Sequence, residues 1–124
     1  GLNVKLYVPK QTSSHRDAVM GIPQIDDPLH QEFTEQVKLE PFRRAMEEHK
    51  PDVWFTNLRK GQTAHRDSLD VLSMSKDGVL KVSPFYHWSD TQLDAYLKER
   101  QLPNEHKYFD PTKVLANREC GLHT

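Results

Sequence analysis

The sequence has little cysteine, no excess of charge of either sign and no long apolar run. Its 124 residues include a single cysteine, Cys120. One thiol cannot build an internal disulfide framework, a four-cysteine zinc site or a cysteine-ligated iron–sulfur cluster within one chain. With 17 basic and 18 acidic side chains the net charge is -1. Nucleic-acid binding, which depends on neutralising phosphates, would therefore require a local basic patch, and we expect no nucleic-acid partner.

No apolar stretch is long enough to span a bilayer, and the first residues show neither a basic leader nor the apolar segment of a secretion signal. We therefore expect a cytoplasmic protein with no membrane partner. Two Trp, five Phe and four Tyr in a chain of near-zero net charge favour a folded domain over a disordered segment. Residues 1–124 are predicted to form a single, partial domain, with a mobile tail at 108–124.

Apolar spacing in the first half of the chain predicts a strand, a loop and a helix. Residues 3–8 alternate in a strand pattern ended by Pro9. A strand at the very start normally pairs with a neighbour, so the chain is expected to begin in mid-domain. Residues 10–31 read as a long loop, and residues 32–49 show helical spacing, with Pro41 in the first turn of the main helix.

The second half alternates strands with polar loops and ends in a capped helix. Residues 53–56 predict a short buried strand, and residues 71–82 predict a hairpin that turns at Asp77-Gly78. Ser89 and Gln92 have the spacing of a capping box for a helix that ends before Pro103. Strands that alternate with helices indicate an α/β architecture.

A basic loop follows the predicted strand at 53–56. Residues 59–66 hold Arg59, Lys60, His65 and Arg66 with no acid among them. Arginine offers a planar bidentate fork and lysine a point charge, which suits a phosphate or sulfate group. A solvated basic turn explains the same composition, because clustered surface charge is common. Both interpretations stay open on composition alone.

Cys120 is the candidate nucleophile. It lies between Arg118 and His123, and a neighbouring cation lowers the pKa of a thiol towards working pH. A lone cysteine in a polar tail is otherwise an inert residue, and its exposure would decide between the two.

Other residue types predict no chemistry of their own. The seven histidines contain no pair at the short spacing of a helical or finger zinc site, so no metal site is expected. The aromatic residues Phe85, Tyr86 and Trp88 precede the capped helix. We interpret them as a packing cluster and not as a stacking platform for bases.

Four segments, in this order, carry a resemblance to a known family. They read VKLEPFRRAM at 37–46, WFTNLRKGQTAHR at 54–66, DGVLKVSPFYHWSDTQLDAYLKERQLP at 77–103 and RECGLH at 118–123. The chain resembles the C-terminal part of the phosphoadenosine phosphosulfate (PAPS) and adenylyl-sulfate reductases. The resemblance implies the C-terminal portion of an adenine-nucleotide alpha-hydrolase-like (PP-loop) three-layer α/β fold, without its N-terminal nucleotide-binding half.

The resemblance also implies a reaction, reductive sulfonyl transfer in sulfate assimilation. Cys120 would attack the sulfonate sulfur of the nucleotide, release adenosine 3′,5′-bisphosphate and hold an S-sulfocysteine. Thioredoxin or glutaredoxin would then free sulfite. A covalent intermediate of this kind divides one difficult displacement into two easier ones, and a mobile tail can close over the bound nucleotide.

Site residues follow from the same resemblance, position by position. Arg59, Lys60, Gln62 and Arg66 fall on the family's basic substrate loop and would bind phosphate and sulfate oxygens. Lys38 falls on a second basic position, before Glu40-Pro41. His123 falls on the tail histidine and would act beside Cys120.

Members of the family that hold an iron–sulfur cluster carry extra cysteine pairs, one of them just before the KLEP segment. Phe33 and Thr34 stand at that place here. The chain therefore resembles the cluster-free type, which typically uses PAPS, and no cofactor is expected.

Three departures from the family pattern keep other functions open. The phosphate-loop half is missing, the stretch between Asp110 and Arg118 is short, and the family's Arg-Arg-Glu-Gln-Ser pattern reads Arg-Lys-Gly-Gln-Thr at 59–63. One alternative is a module that binds a nucleotide or a partner without turnover. Another is an interaction module whose unpaired sheet edge recruits a second copy, and a homodimer is expected.

Overall fold

The computed structural model describes residues 1–105, 107–113 and 122, which form two compact units. The first unit comprises residues 1–50 with 110–113 and Leu122, and the second comprises residues 51–109 apart from 106. The prediction of a single domain with a mobile tail at 108–124 stays a prediction, since most of that tail lies outside the described residues.

Helices build the first unit. They are α1 (Ser13–Val19), α2 (His30–Thr34), a π-helical segment (Glu35–Leu39) and α3 (Glu40–His49). The last three follow one another without a break. Pro41 lies in the first turn of α3, as predicted. Proline has no N–H and its ring crowds the preceding turn, so the wider π-helical turn suits the residues just before it.

Two predictions for the first unit are wrong. Residues 10–31 were expected to be a loop, but Thr12 caps α1 by accepting a hydrogen bond from the His15 N–H. Residues 3–8 were expected to form a strand, but the structure assigns them no regular secondary structure. A strand needs a hydrogen-bonded neighbour. Here side chains connect the segment to α3 instead, with Lys5 donating to Glu48 at 2.6 Å and Arg44 donating to the Val8 carbonyl at 2.7 Å.

The second unit is built on a three-stranded mixed sheet. Its elements are β1 (Val53–Phe55), α4 (Ala64–Asp67), β2 (Leu72–Met74), β3 (Leu80–Val82) and α5 (Asp90–Glu99). The strand order is β1-β3-β2, with β1 parallel and β2 antiparallel to β3. The α/β prediction, the strand near residues 53–56 and the hairpin with Gly78 in its turn (φ 79°) are confirmed. The predicted burial of β1 is wrong, because Phe55 is 70% exposed.

The predicted capping box of α5 is confirmed in both directions. The Ser89 hydroxyl accepts from the Gln92 N–H, and the Gln92 side chain accepts from the Ser89 N–H. Just before α5 in sequence, the rings of Phe85 and Trp88 pack edge to face, with their centroids 5.0 Å apart. The ring of Tyr96 in α5 packs against both. Packing is therefore the role of these aromatic side chains.

Polar contacts attach residues 110–113 to the helices of the first unit. Lys38 donates to the Asp110 carboxylate, whose other oxygen accepts from the Thr112 N–H at 3.0 Å and from its hydroxyl at 2.6 Å. His30 is buried, and its ring nitrogens lie 3.0 Å from the Pro23 carbonyl and 3.1 Å from the Thr112 carbonyl. Burial raises the pKa of Asp110, but the hydrogen bonds from Lys38 and Thr112 outweigh it and leave that pKa below its usual value of 3.8.

Replacing Asp110 with Asn is expected to lower the free energy of unfolding by about 1–3 kcal/mol at pH 7, because a mostly buried charge pair loses one partner. A lowered pKa contributes stability that is present above the unfolded value and is lost as the pH falls through the folded value. The difference between the two proteins should therefore shrink below about pH 4. Urea denaturation from pH 7 to pH 3 measures it.

Asp17→Asn, at an exposed position on α1, is the control and should leave stability nearly unchanged. A deficit for Asp110→Asn that is the same at every pH would show that the ionised carboxylate is not what stabilises this contact.

Candidate anion site

The basic loop at 59–66 leaves the sheet just after β1 and ends in a single helical turn, α4. Thr63 caps this turn, its hydroxyl accepting from the Arg66 N–H at 3.2 Å. The N–H of Gly61, whose φ is 85°, donates to Asp67 at 2.6 Å. Glycine adopts positive φ without steric cost, so it suits this bend. These hydrogen bonds give the loop a defined backbone shape, while its predicted binding of an anion stays a prediction.

Gln62 braces the loop from inside. Its side-chain oxygen accepts from the Arg59 N–H at 2.8 Å and from Arg66 Nη1 at 2.7 Å. Gln62 therefore orients two of the predicted anion-binding residues, a role that the sequence did not indicate. Its predicted contact with substrate stays a prediction.

Tyr86 makes two hydrogen bonds to the loop from a later part of the chain, and the sequence did not predict these contacts. Its hydroxyl donates to the Arg66 carbonyl at 2.7 Å, and its own carbonyl accepts from the Lys60 N–H at 2.8 Å. The side chain is only 2% exposed. Burial, with the charges of Asp67 and Asp70, raises the pKa of the phenol, so the hydroxyl stays a donor at neutral pH. The sequence placed Tyr86 in the aromatic cluster, and no local pattern marks it as a partner of residues 20 positions away.

Acids from outside the loop balance its cations. Arg59 donates to the carboxylate of Asp90 at the start of α5, and the Arg59 side chain is 13% exposed against 81% for Asp90. The buried Nε of Arg59 has no hydrogen-bond partner among the described residues. Lys60 is exposed and Arg66 is half-buried. The loop contains no acid in sequence, but Asp67 and Asp90 both contact it in the folded unit.

The other predicted site residues are Lys38, Cys120 and His123. Lys38 belongs to the first unit, where it pairs with Asp110, whereas the basic loop belongs to the second. Cys120 and His123 lie outside the described residues, so their predicted roles stay predictions. Within residues 1–105, 107–113 and 122, no group of three or more His, Cys, Asp or Glu side chains has the arrangement of a metal site. The helices described by the structure also include none with the length and hydropathy of a membrane span.

Comparison with known proteins gives a consistent family. A sequence model of the phosphoadenosine phosphosulfate reductase domain matches residues 1–110. The phosphoadenosine 5'-phosphosulfate reductase of Xylella fastidiosa (strain M12) is 36% identical over 104 residues, covering 82% of this chain and 43% of the relative. That of Proteus mirabilis (strain HI4320) is 34% identical over 150 residues, covering 98% of this chain and 59% of the relative.

A solved structure agrees with the sequence comparisons. The crystal structure of phosphoadenylyl-sulfate reductase from Candida auris, in a phosphate complex, matches with a TM-score of 0.60 and 27% identity. The match covers 78% of this chain and 46% of that one. The chain thus spans about half the length of the relatives that it matches, and the predicted type of fold is confirmed. This chain belongs to the phosphoadenosine phosphosulfate reductase family.

Proposed function

We propose that this chain carries the sulfonyl-transfer part of a PAPS reductase, which reduces PAPS to sulfite in the sulfate assimilation of the cytoplasm. Family membership over residues 1–110 supports the reaction class. The braced basic loop of the second unit is the observation that carries the substrate assignment. Its cations suit the phosphate and sulfate oxygens of PAPS, and the related Candida auris reductase is described as a phosphate complex.

The loop would bind these oxygens on a backbone that hydrogen bonds already hold in place. Gln62 and Tyr86 hold the backbone at both ends of the loop, so little ordering is needed when an anion arrives. Arg66 and the exposed Lys60 supply positive charge. Arg59 adds a guanidinium group, which donates to the solvent-exposed carboxylate of Asp90. Lys38 is proposed as a further cation for the same substrate class.

Cys120 is the proposed nucleophile. Its thiolate attacks the sulfonate sulfur, the bond from sulfur to the phosphate oxygen breaks, and adenosine 3′,5′-bisphosphate leaves with the electron pair. An S-sulfocysteine remains, with His123 beside it as a positioning residue. A thiolate of thioredoxin or glutaredoxin then attacks Sγ of Cys120 and releases sulfite. The second thiol of the reductant resolves the mixed disulfide, so a dithiol becomes a disulfide and supplies the two electrons.

Intact mass before and after incubation with PAPS under non-reducing conditions tests this mechanism. We expect the gain of one sulfonate, its loss on adding reduced thioredoxin, and no gain in Cys120→Ser. The chain has one cysteine, so the assignment needs no competing thiol to be removed. Sulfite release by Cys120→Ser at the rate of the unaltered chain would rule out the nucleophile.

Replacing Tyr86 with Phe tests whether the hydrogen bond from the Tyr86 hydroxyl to the Arg66 carbonyl positions the loop. Loss of one hydroxyl-to-carbonyl hydrogen bond, worth about 0.5–1.5 kcal/mol, should weaken adenosine 3′,5′-bisphosphate binding by about 2–10-fold. We expect a raised KM for PAPS with an unchanged maximal rate of Cys120 sulfonation, because the lost hydrogen bond acts on the backbone of the proposed anion-binding loop and not on the thiol.

Tyr96→Phe is the matched control, since its hydroxyl has no hydrogen-bond partner among the residues that the structure describes. Titration calorimetry measures both variants. Equal affinity for the two would show that the Tyr86 hydroxyl does not position the loop.

Asp90→Asn tests the electrostatic side of the site. Removing the exposed carboxylate that competes for Arg59 should tighten adenosine 3′,5′-bisphosphate binding by about 2–5-fold, the range of a surface ion pair. Glu99→Gln, at the other end of α5, changes net charge equally and should have little effect. Calorimetry at two salt concentrations measures the affinity of both variants for adenosine 3′,5′-bisphosphate. If that affinity is unchanged or lowered in Asp90→Asn, the anion does not bind beside Arg59.

A second candidate function is nucleotide binding without turnover. The chain covers 43% of the Xylella fastidiosa reductase, so a site completed by the rest of such a protein would be absent from this chain alone. Binding of adenosine 3′,5′-bisphosphate with no sulfonate on Cys120 favours this candidate over catalysis.

A further inference from the structure

Three consecutive backbone N–H groups in the basic loop, those of residues 59–61, each have an acceptor within the second unit. The first donates to the Gln62 side chain at 2.8 Å, the second to the Tyr86 carbonyl at 2.8 Å and the third to the Asp67 carboxylate at 2.6 Å. Consecutive N–H groups in a turn can form a concave binding site for an anion. Here the protein itself occupies all three, which leaves the cationic side chains of the loop as the groups that could meet an anion.

Asp67 joins the two halves of the loop. The first half carries the cations at 59–60, and α4 carries Arg66 and ends at Asp67. The Asp67 N–H donates to the Thr63 carbonyl at 3.1 Å, which fixes Asp67 within the helical turn. Its carboxylate reaches back six positions to the N–H of Gly61, where the chain bends with a φ of 85°. This one hydrogen bond therefore sets the position of the first two cations relative to α4.

The same side chain brings a negative charge to a loop that is proposed to bind an anion. Asp67 is exposed, so its repulsion of a bound phosphate or sulfate is about that of a surface ion pair with the sign reversed. The shape that Asp67 gives the loop and the charge that it carries thus act in opposite directions on anion binding.

We propose that Asp67 is a positioning residue of the anion site. Its side-chain oxygen holds the Gly61 N–H and fixes the loop, and the anion binds to the side-chain cations and not to the backbone. This inference rests on the proposed function and deepens it. It requires the oxygen of Asp67 for binding and does not require the charge.

The variants Asp67→Asn and Asp67→Ala separate the oxygen from the charge. Both remove the charge, but only asparagine keeps an oxygen that accepts from the Gly61 N–H. We expect Asp67→Asn to bind adenosine 3′,5′-bisphosphate about 2–10-fold more tightly than Asp67→Ala, the effect of one hydrogen bond. Asp67→Asn should also bind about 2–5-fold more tightly than the unaltered chain, because it loses only the repulsion. Titration calorimetry with the full 124-residue chain measures all three affinities.

Hydrogen exchange of the Gly61 amide, followed by NMR, measures the same contact without a ligand. Exchange should be about 2–10-fold faster in Asp67→Ala than in Asp67→Asn. Asp17→Asn and Asp17→Ala are the matched control pair, at an exposed position of α1 in the first unit. These two control variants should have the same affinity.

Three results would contradict the inference, and they differ in what else they contradict. Equal affinity of Asp67→Asn and Asp67→Ala would overturn it and leave the proposed function standing. Tighter binding by Asp67→Ala would also overturn it alone, because the released Gly61 N–H would then be a donor to the anion. Absence of binding by the unaltered chain would overturn the proposed function and this inference with it.

Discussion

The parallel pairing of β1 with β3 is the contact on which the candidate site depends. It continues beyond the strands, where the Thr56 N–H donates to the Val82 carbonyl at 2.8 Å and the hydroxyls of Thr56 and Ser83 lie 2.6 Å apart. Because the strands are parallel, the segments that follow β1 and β3 leave the sheet at the same end. The segment after β3 thereby meets the loop after β1, and Tyr86 reaches both ends of that loop.

The proposed anion site depends on the shape of the basic loop more than on an excess of positive charge. Arg59 already contacts Asp90, and Asp67 accepts from the backbone of Gly61. The local charge is therefore nearly balanced, which lowers the cost of keeping several cations close together without a ligand. What distinguishes the loop is that Gln62 and Tyr86 hold its backbone in place, so the phosphate or sulfate group of the proposed substrate would meet a preformed loop.

The small number of buried apolar side chains determines what stabilises each unit. The large apolar side chains buried among the described residues are Phe33, Leu58 and Tyr86. Polar contacts such as that of Lys38 with Asp110 take a correspondingly large part in holding each unit together.

Local chemistry in the sequence determined the α/β alternation, the Asp77-Gly78 turn, the Ser89 capping box and the family resemblance. The turn, the capping box, each strand or helix pattern and each family motif depend on residues within a few positions of one another. Helix α1 was missed because it buries no side chain and so has no apolar stripe. Only the tertiary structure decided that residues 3–8 pair with no strand, that Asp90 and Tyr86 join the basic loop, and that β1 is exposed. Such contacts join residues 20 or more positions apart, and their partners are chosen by strand pairing and not by local pattern.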